Sequence, residues 1–119
     1  MEKFLKGFGF AFKGLIYAFK TQLNFRIHTL LAVVILCLGW YYNLDSTEWL
    51  WILSTISLVL IVELINTAIE VLTDLVSPVY HPKAGIVKDV SAAAVLIAAF
   101  FAIAVGLIIL IPKIFLDAS

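Results

Sequence analysis

Residues 90–111 carry no charged side chain. As an α-helix, a run of that length spans about 33 Å, enough to cross the ~30 Å hydrocarbon core of a bilayer. Inside lipid, every backbone N–H and C=O must be paired within the segment, so such a run has to be helical. Residues 29–44 are also uncharged and reach spanning length with Phe25 and Ile27 below them. Residues 47–76 make a third, longer stretch, about 45 Å as a helix, so its second half should emerge at the interface. The chain is 64% apolar and 13% charged, against roughly 45–50% and 25% in soluble domains. It reads as an all-α membrane protein, one domain over 1–119, with membrane helices at 25–44, 47–76 and 89–111.

Charge is arranged, although its sum is zero. Residues 1–22 hold Lys3, Lys6, Lys13 and Lys20 against one acid, Glu2. At 100° per residue the lysines share an arc of about 100°, and Phe4, Leu5, Phe8, Phe12, Leu15, Ile16 and Phe19 cover most of the rest. This pattern predicts an amphipathic helix on a membrane surface. Gly7, Gly9 and Gly14 weaken it. No small-residue cleavage site follows, so no segment is expected to be removed. Most of the lysines lie in this arm and in the 77–89 connection, SPVYHPKAGIVKD, read as polar loop. The turn at 43–48 holds only acids; Asp45 or Ser46 is placed to cap the next helix, with Glu48 in its first turn. The positive-inside rule then puts the N-terminus and the second connection in the cytoplasm and the C-terminus outside. Ala92, Ala93, Ala94, Ala98, Ala99, Ala102, Ala104 and Gly106 suit the last span for close helix packing. Residues 111–119 read as a tail.

Against this apolar background the segment VELINTAIEVLTD, residues 62–74, stands out. Glu63, Asn66, Glu70 and Asp74 fall within an arc of about 80° on a helical wheel. They form one polar stripe on the half of the helix nearer the basic end. A carboxylate in lipid is costly and ordinarily marks a function or a partner. The structural alternative is that the acids pair with Lys88, Arg26 or Lys13 and hold helices together. The chemical reading is that carboxylates with an amide oxygen are hard ligands suited to magnesium and phosphates, and that a carboxylate in apolar surroundings can take a proton from an alcohol. Metal, base and nearby lysines together are the parts of a phosphoryl-transfer site. There is no Walker A sequence, and GFG at 7–9 follows no strand. His28 and His81 lack metal-ligand spacing and are expected to hydrogen-bond at the interface. Cys37 stands alone, which excludes an intramolecular disulfide or a cysteine metal cluster. A net charge of zero suggests no nucleic-acid partner.

FAFKGL at 10–15, NFRIH at 24–28, ELINTAIEVLTD at 63–74 and KDVSAAAVLI at 88–97 resemble the small prokaryotic membrane lipid kinases, the diacylglycerol kinase and undecaprenol kinase family. The resemblance covers almost the whole chain. It implies a homotrimer of three-span protomers with active sites between protomers at the cytoplasmic interface, magnesium-ATP as donor and a lipid alcohol as acceptor. It also implies roles: Glu63 as general base, Asn66 as organiser, Glu70 as metal-binding carboxylate, Lys88 toward the phosphates, Asp89 near the adenosine, and Tyr80 and His81 in a connection over the nucleotide. Asp74, Arg26, His28 and Lys13 are left as structural or site residues. Gln22 departs from the family, which commonly has Glu there as a second metal ligand. Diacylglycerol is the expected acceptor and undecaprenol the alternative. An intramembrane proton or ion conductor using the acid stripe, and a structural subunit, are the readings from other classes.

Overall fold

The computed structural model describes residues 1–118, with side chains for 1–116, and these residues form four helices: α1 (Glu2–Thr21), α2 (Leu23–Tyr41), α3 (Ser46–Val76) and α4 (Pro82–Ala118). Helices α2, α3 and α4 are each long and apolar enough to cross a membrane. Antiparallel α3 and α4 make the main contact; α2 leans on α3 and barely meets α4.

The junctions follow local chemistry. Gln22 alone separates α1 from α2, in extended conformation (φ −112°, ψ 108°). Arg26 secures the bend by donating to the carbonyls of Phe19 (3.2 Å) and Lys20 (3.1 Å), which the end of α1 leaves without intrahelical partners. At the opposite end, Leu44 N–H bonds to Gly39 O and Asn43 N–H to Trp40 O, a Schellman closure of α2 with Asn43 left-handed at φ 53°. Gly39 is required there: a Cβ would lie 2.8 Å from the Trp49 ring and 2.9 Å from Leu44. Asp45 caps α3 and forms a reciprocal capping box with Glu48. Glu48 also pairs with Lys113 of α4 at 3.0 Å, tying this end together over the core of Leu44, Ile52, Val105 and Leu110.

Several expected boundaries shift. Helix α2 begins at Leu23 and ends at Tyr41, and the break between α3 and α4 is only residues 77–81. Pro82 opens α4 at the first helical position, where its missing N–H costs nothing, and His81 Nδ1 accepts from the Lys83 N–H at 3.1 Å. Lys83, Lys88 and Asp89 therefore belong to helix, not loop. The expected tail is helical too, through Ala118, despite Pro112. The Glu48–Lys113 pair and the packing of Ile114 on the core hold those last turns in place. Ser119 lies outside the described residues.

Candidate functional site

One face of α3 changes character along its length. Its buried residues are Ile52, Thr55 and Val59, then Glu63, Asn66 and Thr67, all on a single stripe turned toward its neighbours. The first half is apolar apart from Thr55, which satisfies its hydroxyl on Ile52 O at 2.9 Å. The second half is the polar stripe seen in the sequence. Its members are held by three contacts from other helices and one from within α3.

Glu63 is the most deeply placed, only 2% exposed. Its Oε1 lies 2.6 Å from Nδ1 of His28 on α2. An ionisable group so buried needs a partner of this kind. Its second oxygen, Oε2, makes no hydrogen bond among the described residues, nor is it sealed: no fully enclosed side-chain oxygen there lacks a partner. One turn on, Ser91 of α4 donates to Asn66 Oδ1 at 2.7 Å, which turns the Asn66 amide nitrogen toward Glu70 Oε1 at 3.3 Å. Ser91 thus fixes which end of the amide faces the carboxylate. It is the site residue that sequence reasoning passed over; the only signal was a lone hydroxyl preceding the alanine run, three residues after Lys88. At the stripe's outer end, Lys88 Nζ meets Asp74 Oδ1, and both side chains are substantially exposed. Water-facing pairs of this sort contribute little and part readily.

The remaining expected residues are dispersed. Arg26 holds the α1 end, and Lys13 lies 5.6 Å above the Phe10 ring, so neither pairs with the acids. Of the ion pairs offered as helix glue, only the one with Lys88 forms. Asp89 is exposed and its side chain has no ion pair or hydrogen bond among the described residues. Tyr80 is exposed, beside Gly85 in the first turns of α4, and His81 spends Nδ1 on its cap. Gln22 is half-buried at the helix break, and nothing among the described residues ties its amide to Glu70. Among those residues no three His, Cys, Asp or Glu side chains cluster as a metal cage. Glu70 nonetheless suits magnesium, which keeps several waters and takes one or two carboxylates plus substrate phosphates.

Below Glu63 lies a cavity of about 370 Å³ between α2, α3 and α4. Leu31, Ala32 and Ile35 form one wall, Ile52 to Leu60 another, and Ala99, Ala102 and Gly106 the third. Not all the small residues of α4 serve the close packing expected of them: Ala98 is buried, while those three border open space. A Cβ on Gly106 would meet nothing within 4 Å. His28 lines the polar end of this cavity, and Glu63 stands behind it.

A buried carboxylate at the head of an apolar cavity, with a polar ladder leading from it to an exposed lysine, defines a site that can join a lipid to a phosphate. The sequence profile of the family described as prokaryotic diacylglycerol kinase matches residues 9–110. The chain is 43% identical over 109 residues to a diacylglycerol kinase of Synechocystis, covering 91% of this chain and 62% of that protein. It is 35% identical to an undecaprenol kinase of Bacillus subtilis (95% of this chain, 92% of that one) and 37% identical to the diacylglycerol kinase of Escherichia coli K12 (91% and 88%). The chain belongs to the prokaryotic diacylglycerol kinase family, a family of lipid kinases. With three span-capable helices, it is a bacterial membrane protein.

Proposed function

We propose that the chain phosphorylates a membrane lipid alcohol with ATP, diacylglycerol being the acceptor, in the cytoplasmic membrane. The observation that carries this reading is the position of Glu63, at the boundary between an apolar cavity and a polar ladder. The lipid tail lies in the cavity and its hydroxyl sits at the polar end. Glu63 supplies the negative charge that draws the hydroxyl proton. As the O–H bond breaks, the oxygen bonds to the γ-phosphorus, the bond to the β–γ bridging oxygen breaks, and ADP leaves with that electron pair. Asn66, turned by Ser91, holds Glu70 in place. Lys88 leaves Asp74 to meet the phosphates, Asp89 approaches the adenosine, and Tyr80 and His81 border the nucleotide. Magnesium at Glu70, with Gln22 offering at most a neutral amide oxygen, would offset phosphate charge. Apolar tail contacts and phosphate contacts on opposite sides of Glu63 supply proximity and orientation.

The finer architecture belongs to the same proposal. The protein is a homotrimer with sites shared between protomers. Helix α1 lies on the cytoplasmic surface, its exposed phenylalanines in the lipid. The N-terminus and active site face the cytoplasm and the C-terminus faces outward. Undecaprenol is the second reading of the acceptor, favoured by the relative of that name that matches 95% of this chain. Apolar contact discriminates poorly between such tails.

Labelled ATP supplied to the purified protein in vesicles, with diacylglycerol or undecaprenol present, tests the proposal. Label should appear on the lipid. An ATP-independent ion current with no labelled lipid would favour a conductor, and neither result would leave a structural subunit.

A further inference from the structure

Glu63 does not itself line the cavity; His28 does, with 22% of its side chain exposed against 2% for Glu63. The imidazole thus borders the space for a lipid, with the carboxylate on its Nδ1 side. With Nδ1 committed to Glu63 Oε1 at 2.6 Å, its other nitrogen, Nε2, is left for a ligand. Among the cavity-lining side chains only His28 and Thr55 are polar, and Thr55 donates to Ile52 O.

We propose that His28 is the catalytic residue that touches the lipid hydroxyl, and that Glu63 acts through it. The inference rests on the lipid-kinase reading and deepens it. Neutral His28 donates Nδ1–H to the Glu63 carboxylate, which leaves the Nε2 lone pair directed away from Glu63. The hydroxyl O–H bond breaks and an N–H bond forms at Nε2, while the oxygen's electron pair goes to the γ-phosphorus. The proton then resides on an imidazolium whose charge Glu63 offsets. After transfer it passes to water. A carboxylate orienting an imidazole and stabilising its cation is an established way to make a competent base from these two groups.

Two substitutions test this. His28→Asn retains an N–H near the Nδ1 position and so keeps the bond to Glu63, but has no atom at Nε2. His28→Ala opens a gap contiguous with the cavity. Both should lower kcat by about 100-fold or more, the range for losing a general base, with KM for ATP nearly unchanged. Added imidazole should restore part of the rate to His28→Ala, an effect that a purely structural role would not produce. If His28→Ala does not fold, His28→Asn carries the test alone. Near-wild-type kcat in His28→Asn overturns the inference. If Glu63→Gln is inactive in the same assay, the lipid-kinase reading survives with Glu63 acting directly. If both variants are fully active, the site itself has been misplaced.

Discussion

The two halves of α3 present one stripe to the same neighbours, yet they do opposite things. From Ile52 to Val59 the stripe borders open apolar space, because α4 opposes it with Ala99, Ala102 and Gly106. From Glu63 to Asp74 it is crossed by polar contacts from α2 and α4, each matched to one member: His28, Ser91 and Lys88. The difference teaches how a single long helix presents two environments, one suited to an apolar tail and one to phosphates. An apolar tail needs volume and no hydrogen bonds, so small side chains suffice. Phosphates and a reacting hydroxyl need oriented polar groups, and each such group requires a partner while the site is empty. Helix pitch sets the separation: the polar segment is about 16 Å long from Glu63 to Asp74.

The comparison can be broken most sharply at its boundary. Glu63→Gln should reduce kcat about 1,000-fold, within the range for disabling general-base catalysis, while the protein keeps its oligomeric state on size exclusion in detergent. Turnover close to wild type would remove Glu63 from the chemistry. Within the polar half, Ser91→Ala frees the Asn66 amide to turn and removes one hydrogen bond. A loss of about fivefold in kcat, the equivalent of roughly 1 kcal/mol, is expected with KM for the lipid unchanged. An increase in lipid KM would assign Ser91 to the cavity instead. The smallest effect is expected at Gln22→Glu, which should lower by a few-fold the magnesium needed for half-maximal rate by adding a charged ligand. An unchanged magnesium titration would remove Gln22 from the metal site.

The three spans were legible because lipid leaves the backbone no alternative to helix. Their ends were less so. Lys83, Lys88 and Asp89 read as loop, since polarity does not distinguish a loop from the water-facing turn of a helix; Pro82 in fact begins α4, and Pro112 is absorbed by it. The acid stripe followed directly from the 3.6-residue period. Its partners did not: His28 reaches Glu63 from 35 positions away and Ser91 reaches Asn66 from 25, separations that only tertiary packing sets. The stretch Ala98 to Gly106 carried the right composition for two outcomes, close packing or empty space, and it does both. Which residue does which depends on the rotation of α4 against α3.

The most direct test of the division at Glu63 is to perturb each side alone and measure both Michaelis constants. At Gly106, on the cavity wall, a Cβ would meet nothing within 4 Å, so Gly106→Leu is the substitution chosen to take up cavity space. It should raise KM for the lipid about tenfold, as a mismatch of a methylene or more does in an apolar pocket, and leave KM for ATP unchanged. Lys88→Ala should do the reverse, raising KM for ATP about tenfold through loss of a charged phosphate contact. If both substitutions raise the same constant, or Gly106→Leu weakens ATP, the two halves of α3 do not serve separate substrates.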